Sequence, residues 1–195
     1  MRQKASSKKK QLEQTATSLF KDRGYTATSM RDMAQALGIE AASLYSHIKS
    51  KEEILQNVCF RMARNFFAAQ EEALALAGND PVNQLNAAII AHIKVITEDT
   101  SASAVFFSEW RHLSEPHLGQ LQSMRQEYEG VFQQILEKGM QNGQIIALNT
   151  KFAVFSILSA LNWTHNWYKP TGPQTPEQIG ANLANTILNG LRKRD

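Results

Sequence analysis

Along the whole chain, apolar residues return every third or fourth position and nowhere alternate long enough to build a strand, so the pattern predicts an all-α protein. Leu12, Ala16, Leu19 and Phe20 mark a first helix over about residues 7–23, with Gly24 to stop it. A short second helix follows Thr28, which is placed to cap it, and turns Met30, Met33, Ala34 and Leu37 inward. Gly38 permits a tight turn, and a third helix is expected at about 40–47. Ser50 and Glu53 have the spacing of a capping box and open a long fourth helix, about 50–77. The breaker Gly78-Asn79-Asp80-Pro81 ends it and starts a fifth to about 97, with Pro81 in the first turn. A sixth is expected over about 102–113, and a seventh from Ser114-Glu115-Pro116 to Gly139 and Gly143. An eighth covers about 151–168, and a ninth runs from Thr175-Pro176-Glu177 to about 191. The expectation is nine helices, no sheet and no internal repeat.

Charge divides what the apolar pattern leaves uniform. Residues 1–64 hold twelve Lys/Arg against six Asp/Glu, a net of +6, whereas residues 65–195 carry a net of −3. Clustered positive charge gains free energy beside a polyanion by releasing condensed counterions, so a nucleic acid is the first partner to consider. The alternative is a solvated helix face with a basic tail. With 195 residues and 43% apolar side chains, the chain can build a core in one or two domains. The single cysteine, Cys59, excludes an internal disulfide framework, and a buried thiol is expected there. The start lacks the apolar stretch of a secretory signal. The longest uncharged run, 152–168, is interrupted by Asn162, Thr164, His165 and Asn166, so no membrane span and a cytoplasmic location are expected.

The segment 28–47 reads as a helix-turn-helix. With Leu44 and Ile48 inward at i and i+4, the outward residues of its second helix are Ala41, Ala42, Ser43, Tyr45, Ser46 and His47. A helix can enter the major groove of DNA, and small residues at its start let the backbone approach base edges. Tyr45, Ser46 and His47 can bond phosphates or touch thymine methyls. Lys49 and Lys51, at the next helix start, are expected to meet phosphate together with Thr28. The plain alternative is an ordinary helical hairpin.

The runs Thr28-Ser29-Met30-Arg31-Asp32-Met33-Ala34, Leu37-Gly38-Ile39 and Ser43-Leu44-Tyr45-Ser46-His47-Ile48-Lys49-Ser50-Lys51 resemble the DNA-binding signature of the TetR family of bacterial regulators. Ala16, Leu19, Phe20, Gly24 and Tyr25 fit that family's first helix. The resemblance implies two domains: a DNA-binding domain at 1–50 and a ligand-binding and dimerisation domain at 51–195. It also implies a homodimer on a palindromic operator of double-stranded DNA, a repressor released when a small-molecule effector enters the second domain. Glu40 and Ala41 depart from the pattern. An acid at the edge of the recognition helix can repel phosphate or accept from a cytosine amino group.

Beyond residue 65 the aromatic residues cluster. Phe106, Phe107 and Trp110, then Tyr128 and Phe132, and then Trp163 and Trp167 with Asn162 and Asn166 are candidates to line an effector cavity, with Arg125 beside them. They can equally fill a core or a dimer interface. The stretch from Leu161 to Gly172 resembles TetR relatives that sense lipophilic carboxylic acids as their CoA thioesters. On that reading Arg111, Arg125 or Lys169 would meet phosphates. His92 and His165 read as satisfied core or pocket residues. Glu109, His112, Glu115 and His117 lack the spacing of a zinc site, so no metal is expected. No nucleophile elbow, phosphate loop or Ser/His/Asp arrangement is present, so neither catalytic residues nor a cofactor are expected. The rival readings are a helical interaction protein and a ligand carrier or all-α enzyme without sequence-specific DNA binding.

Overall fold

A computed structural model describes residues 2–192, with side chains from residue 9 onward. Among the described residues the fold is all-α, and the one extended feature is an isolated antiparallel bridge between Ile145 and Arg192. The helices are α1 (Arg2–Arg23), α2 (Met30–Leu37), α3 (Ala41–Tyr45), α4 (Lys51–Ala77) and α5 (Pro81–Glu98). They continue as α6 (Thr100–Ser108), a 3₁₀ turn (Trp110–His112), α7 (His117–Gln141), α8 (Thr150–Asn162), α9 (Thr164–Trp167) and α10 (Pro176–Leu191). The predicted nine are present if α8 and α9 count as one interrupted helix.

That interruption has a local cause. His165 Nδ1 bonds the carbonyl of Asn162 at 2.6 Å, and the Asn166 N–H donates instead to Trp163 one residue later, at 3.1 Å. A side chain here takes the acceptor that the helical ladder needed. Other boundaries also move. α1 begins at Arg2, five residues before its expected start, and α3 is a single turn rather than eight residues. The sixth helix stops at Ser108, where the Ser108 hydroxyl donates back to Ala104, and the chain tightens into the 3₁₀ turn. Gly139 lies inside α7, and Gly143, at φ 71°, closes it.

The described chain groups into two compact units. Unit one takes the residues up to Met62 together with Ser101–Leu121. Its core is Leu12, Ala16 and Phe20 of α1, Met33 and Ala34 of α2, Leu44 of α3 and Ile54, Leu55 and Val58 of α4, all buried. Cys59 is buried there as well. The cap of α2 is Ser29, not Thr28. Ser29 and Asp32 exchange hydrogen bonds in a capping box, and those bonds hold the Asp32 carboxyl below its ordinary range. Thr28 is buried, its hydroxyl donating to the carbonyls of Gly24 (2.8 Å) and Leu19 (3.3 Å). Gly38 adopts φ 64° and closes α2 on the carbonyls of Ala34 and Gln35.

Unit two comprises Ala63–Thr100 and the residues from Gln122 on. Helix α5 is its centre: Leu85, Ala88, Ile89, His92, Ile93 and Ile96 are all buried. Asp80 caps it through the Asn83 N–H and also accepts from Gln144, which together lower its pKa. Helix α10 starts on a Thr175–Gln178 capping box and lies against α5, with Gly180 over Ile90. A Cβ at Gly180 would meet the Ile90 Cα at 3.1 Å. Gly180→Val should therefore force the two helices apart and cost about 1–3 kcal/mol, the range for overpacking, as read by urea unfolding. An unchanged midpoint would show that α10 can shift freely.

Candidate nucleic-acid interface

In unit one, α3 is fixed from beneath by Leu44 and Ile48, both buried. On its outer side Ala42, Ser43, Tyr45, Ser46 and His47 are exposed, as is Lys49 beyond it, and Ala41 is half-buried. Tyr45 is 56% exposed, a large aromatic ring turned largely to the outside. The Ser46 hydroxyl donates to the Ser43 carbonyl at 2.7 Å, which tightens the end of the helix and leaves its oxygen able to accept. Glu40 precedes the helix without making a side-chain cap. Small residues at one end with hydroxyl, phenol and imidazole groups at the other make a face that can enter a major groove and bond both bases and phosphates.

The two basic residues after this face behave differently. The Lys49 side chain is exposed, and its backbone N–H donates to Glu53 at 2.8 Å, while the Glu53 N–H bonds the Ser50 hydroxyl at 3.1 Å. The predicted capping box thus forms with its return bond one residue early. Lys51 departs from the expected phosphate role. Its ammonium donates to the carbonyls of Tyr25 (2.9 Å) and Thr28 (3.1 Å) and lies 4.3 Å from the centre of the Tyr25 ring. Three donors on a compact charge suit the carbonyls of a turn, and those contacts occupy the group. Thr28, also expected at the phosphates, directs its hydroxyl inward as described above.

Tyr25 is the hub of this junction. Its N–H donates to Glu109 at 3.3 Å and its ring stacks on His112 with centroids 5.2 Å apart. Burial, and secondarily the Glu52 carboxylate, push its hydroxyl pKa upward. Glu52 in turn accepts the Ser114 N–H at 2.7 Å. Glu109 and His112 are therefore engaged in packing, 3.5 Å from each other. Among the described residues no group of three or more His, Cys, Asp or Glu is placed to hold a metal. Sequence reading missed this junction, because Tyr25 and Glu109 lie 84 residues apart and carry no local signal.

The expected effector residues separate. Phe106, Phe107 and Trp110 belong to unit one, where Phe106 and Trp110 are buried and the Arg111 guanidinium covers the Trp110 ring at 4.6 Å. Tyr128, Phe132, Arg125 and Asn162 belong to unit two, with Arg125 half-buried. Tyr128 packs against Phe132, Phe66 and Phe67, with centroids between 5.6 and 5.8 Å. The Tyr128 hydroxyl donates to His92 Nδ1 at 2.9 Å, and His92 Nε2–H donates to Asn162 Oδ1 at 3.0 Å, the tautomer a carbonyl oxygen requires. Burial lowers the His92 pKa to about 4, against a smaller upward pull from Asn162, and raises that of Tyr128.

Trp163, Asn166 and Trp167 need correction as cavity-lining residues. All three are exposed, Trp163 at 64%, on the side of α8 and α9 that also bears the exposed Phe152 and Phe155. An open groove of about 670 Å³ between α4 and α5 is lined by alanines, Leu76, Ile90 and Val95 together with two asparagines and the charged Glu72, Lys94 and Glu98, and includes none of the expected effector residues. No helix among the described residues is long and apolar enough to cross a membrane.

Comparison with known proteins agrees with this geometry. Residues 14–58 match the family described as bacterial regulatory proteins, tetR family, and residues 78–191 match the tetracyclin repressor-like C-terminal domain. The HTH-type transcriptional repressor KstR2 of Mycolicibacterium smegmatis is 28% identical over 187 residues, covering 95% of this chain and 91% of that one. The structure of the ketosteroid transcriptional regulator KstR2 of Mycobacterium tuberculosis superposes with a TM-score of 0.88 at 24% identity, over 96% of both chains, a likeness of fold. The TetR-family transcriptional regulator PfmR of Thermus thermophilus gives a TM-score of 0.79 at 32% identity, over 93% of this chain and 99% of that one. The chain belongs to the tetR family of bacterial regulatory proteins, and is a ligand-responsive, DNA-binding transcriptional regulator rather than an enzyme.

Proposed function

We propose that the protein is a repressor that binds a palindromic operator as a symmetric homodimer and releases it when a lipophilic small molecule binds. Residues 1–50 read the DNA, and residues 51–195 bind the effector and dimerise. The carrying observation is the exposed row Ser43, Tyr45, Ser46 and His47 on a helix anchored by the fully buried Leu44. Ala41, Ala42 and Lys49 complete the contact surface. Thr28 and Lys51 support it from within, holding the turn that leads into α2. The relatives named repressors support the direction of control.

The exposed Phe152, Phe155, Trp163 and Trp167 form an apolar side on α8 and α9, and we assign them to the face shared by the two subunits. Tyr128, Phe132 and Asn162 keep the effector role, with Arg125 at its margin; Phe106, Phe107 and Trp110 keep it as a second cluster. An acyl-CoA is the finer reading of the effector, carried from the resemblance of residues 161–172.

The test is selection of operators from random duplex DNA. The expected winner is a palindrome whose half-sites lie about 34–36 Å apart, or a multiple of that, enriched by orders of magnitude over bulk DNA. Tyr45→Ala should cost about 1–3 kcal/mol on the selected site and relax preference at one position in each half-site. Salt-sensitive binding with no enriched sequence would sink the proposal.

A further inference from the structure

Unit one is built from two stretches of chain, the residues up to Met62 and Ser101–Leu121, separated in sequence by residues 63–100 of unit two. Two carboxylates join these stretches in opposite directions. Glu52, in the first turn of α4, accepts the Ser114 N–H at 2.7 Å, three residues before α7 begins. Glu109, just beyond α6, accepts the Tyr25 N–H at 3.3 Å, in the turn between α1 and α2. Each stretch thus gives one donor and one acceptor. Tyr25 and Ser114 both lie outside helices, where no helical ladder supplies a carbonyl to the backbone N–H.

The surroundings hold this arrangement in place. The Glu109 side chain is 17% exposed, its other oxygen accepts from the Ser108 hydroxyl at 3.2 Å, and His112 Nε2 stands 3.5 Å from the first. The Lys51 ammonium, beside Glu52, takes the carbonyls of Tyr25 and Thr28, so the turn that leads into α2 is held through its N–H and its carbonyls alike. Neither carboxylate is on α3, and an acid gains nothing by facing phosphate, so any part they play in DNA binding is one of position.

We infer that Glu52 and Glu109 are positioning residues that fix the angle of the helix-turn-helix and so set the half-site spacing the regulator accepts. The inference rests on the homodimer reading above and adds what determines its operator geometry. Beyond α3 the chain continues into α4, and that connection alone leaves the helix-turn-helix free to tilt about the start of α4. The two carboxylates tie it as well to the residues that lead into α7. One added base pair between half-sites moves a recognition site by about 3.4 Å and turns it by about a tenth of a turn. A helix-turn-helix held at two places resists that change, whereas one held at α4 alone follows more of it.

The test uses the full-length protein and an operator selected from random DNA, together with the same operator lengthened or shortened by one base pair at its centre. The unaltered protein should bind the altered spacings at least a hundredfold more weakly. Glu52→Ala and Glu109→Ala should each lower affinity for the selected spacing about tenfold and reduce the spacing penalty to less than tenfold. Base preference within a half-site should not change. Glu52→Gln and Glu109→Gln keep a carbonyl acceptor and should restore most of the discrimination. Ser114→Pro removes one donor and leaves both carboxylates; Leu113 already has the extended backbone favoured before proline, and the variant should behave as Glu52→Ala does. A merely structural role predicts equal losses at every spacing. A spacing penalty undiminished in any of these three variants, or glutamine variants as relaxed as the alanine ones, would overturn the inference. Hydrogen exchange needs no DNA: the Tyr25 amide should exchange at least tenfold faster in Glu109→Ala, and the Ser114 amide in Glu52→Ala. Unchanged exchange at either would overturn it too. Failure of the unaltered protein to select an operator, with exchange responding as expected, would count against the homodimer reading instead.

Discussion

Replacing Lys51 by alanine is expected to destabilise unit one by about 2 kcal/mol and to weaken operator binding by more than about tenfold, without changing how that binding depends on salt. The ammonium of Lys51 joins the start of α4 to the carbonyls of Tyr25 and Thr28 and covers the Tyr25 ring. Hydrogen bonds from a charged donor contribute about 1.5–3 kcal/mol each in favourable settings. Lys51 is only half-buried, so the sum is discounted for solvent. Losing it releases the turn from which α2 departs, and with it the position of the helix pair that presents Tyr45. A lysine touching phosphate would behave otherwise, since its removal lowers the slope of log affinity against log salt by about one. Urea unfolding and affinities at three or more salt concentrations separate the two roles. Full stability with a reduced slope would return Lys51 to the DNA surface.

The second large effect is on stability against pH. His92 titrates at about pH 6.5 in an unfolded chain and at about 4 when folded, because burial disfavours the imidazolium. Between those values the unfolded state binds the extra proton, so unfolding becomes easier as pH falls. His92 costs nothing above about pH 6.5. The loss accumulates at about 1.4 kcal/mol per pH unit and reaches about 3 kcal/mol near pH 4. His92→Gln keeps a side chain able to bond Tyr128 and Asn162 but removes the titration. Its unfolding free energy should therefore fall less steeply than that of the unaltered protein between about pH 6.5 and 4.5. Parallel slopes for the two proteins would contradict a neutral, buried His92.

Both predictions turn on contacts between residues far apart in the chain, and this marks where the sequence stopped informing. The apolar period in α1, α2, α4, α5 and α10 is legible because each helix buries one stripe against its neighbours, and a repeat near 3.6 encodes that stripe directly. The turn at Gly38 is equally legible, because few residues other than glycine adopt φ 64° without strain. The outward row from Ala41 to His47 followed from the same period once Leu44 and Ile48 were placed inside. Helix ends were less legible. Thr28 and Ser29 are chemically similar caps, and only the inward bonds of the Thr28 hydroxyl leave that role to Ser29. Trp163 and Trp167 share an expected face, but periodicity cannot say whether that face turns inward.

The amino-acid order alone therefore determined the all-α fold and the outward side chains of α3, because those properties arise from short-range spacing, and its motifs resembled the tetR family to which the chain belongs. Tertiary structure decided what the charged and polar residues do. It set the Lys51 ammonium against the carbonyls of a turn and made Tyr25 the meeting point of Glu109 and His112. It enclosed His92 between Tyr128 and Asn162 and left Gln70 and Thr164 buried, each with a polar atom that no described residue satisfies. The reason is physical. A hydrophobic stripe is a property of one helix, whereas the fate of a hydrogen-bonding group depends on which atoms the fold brings within about 3 Å of it.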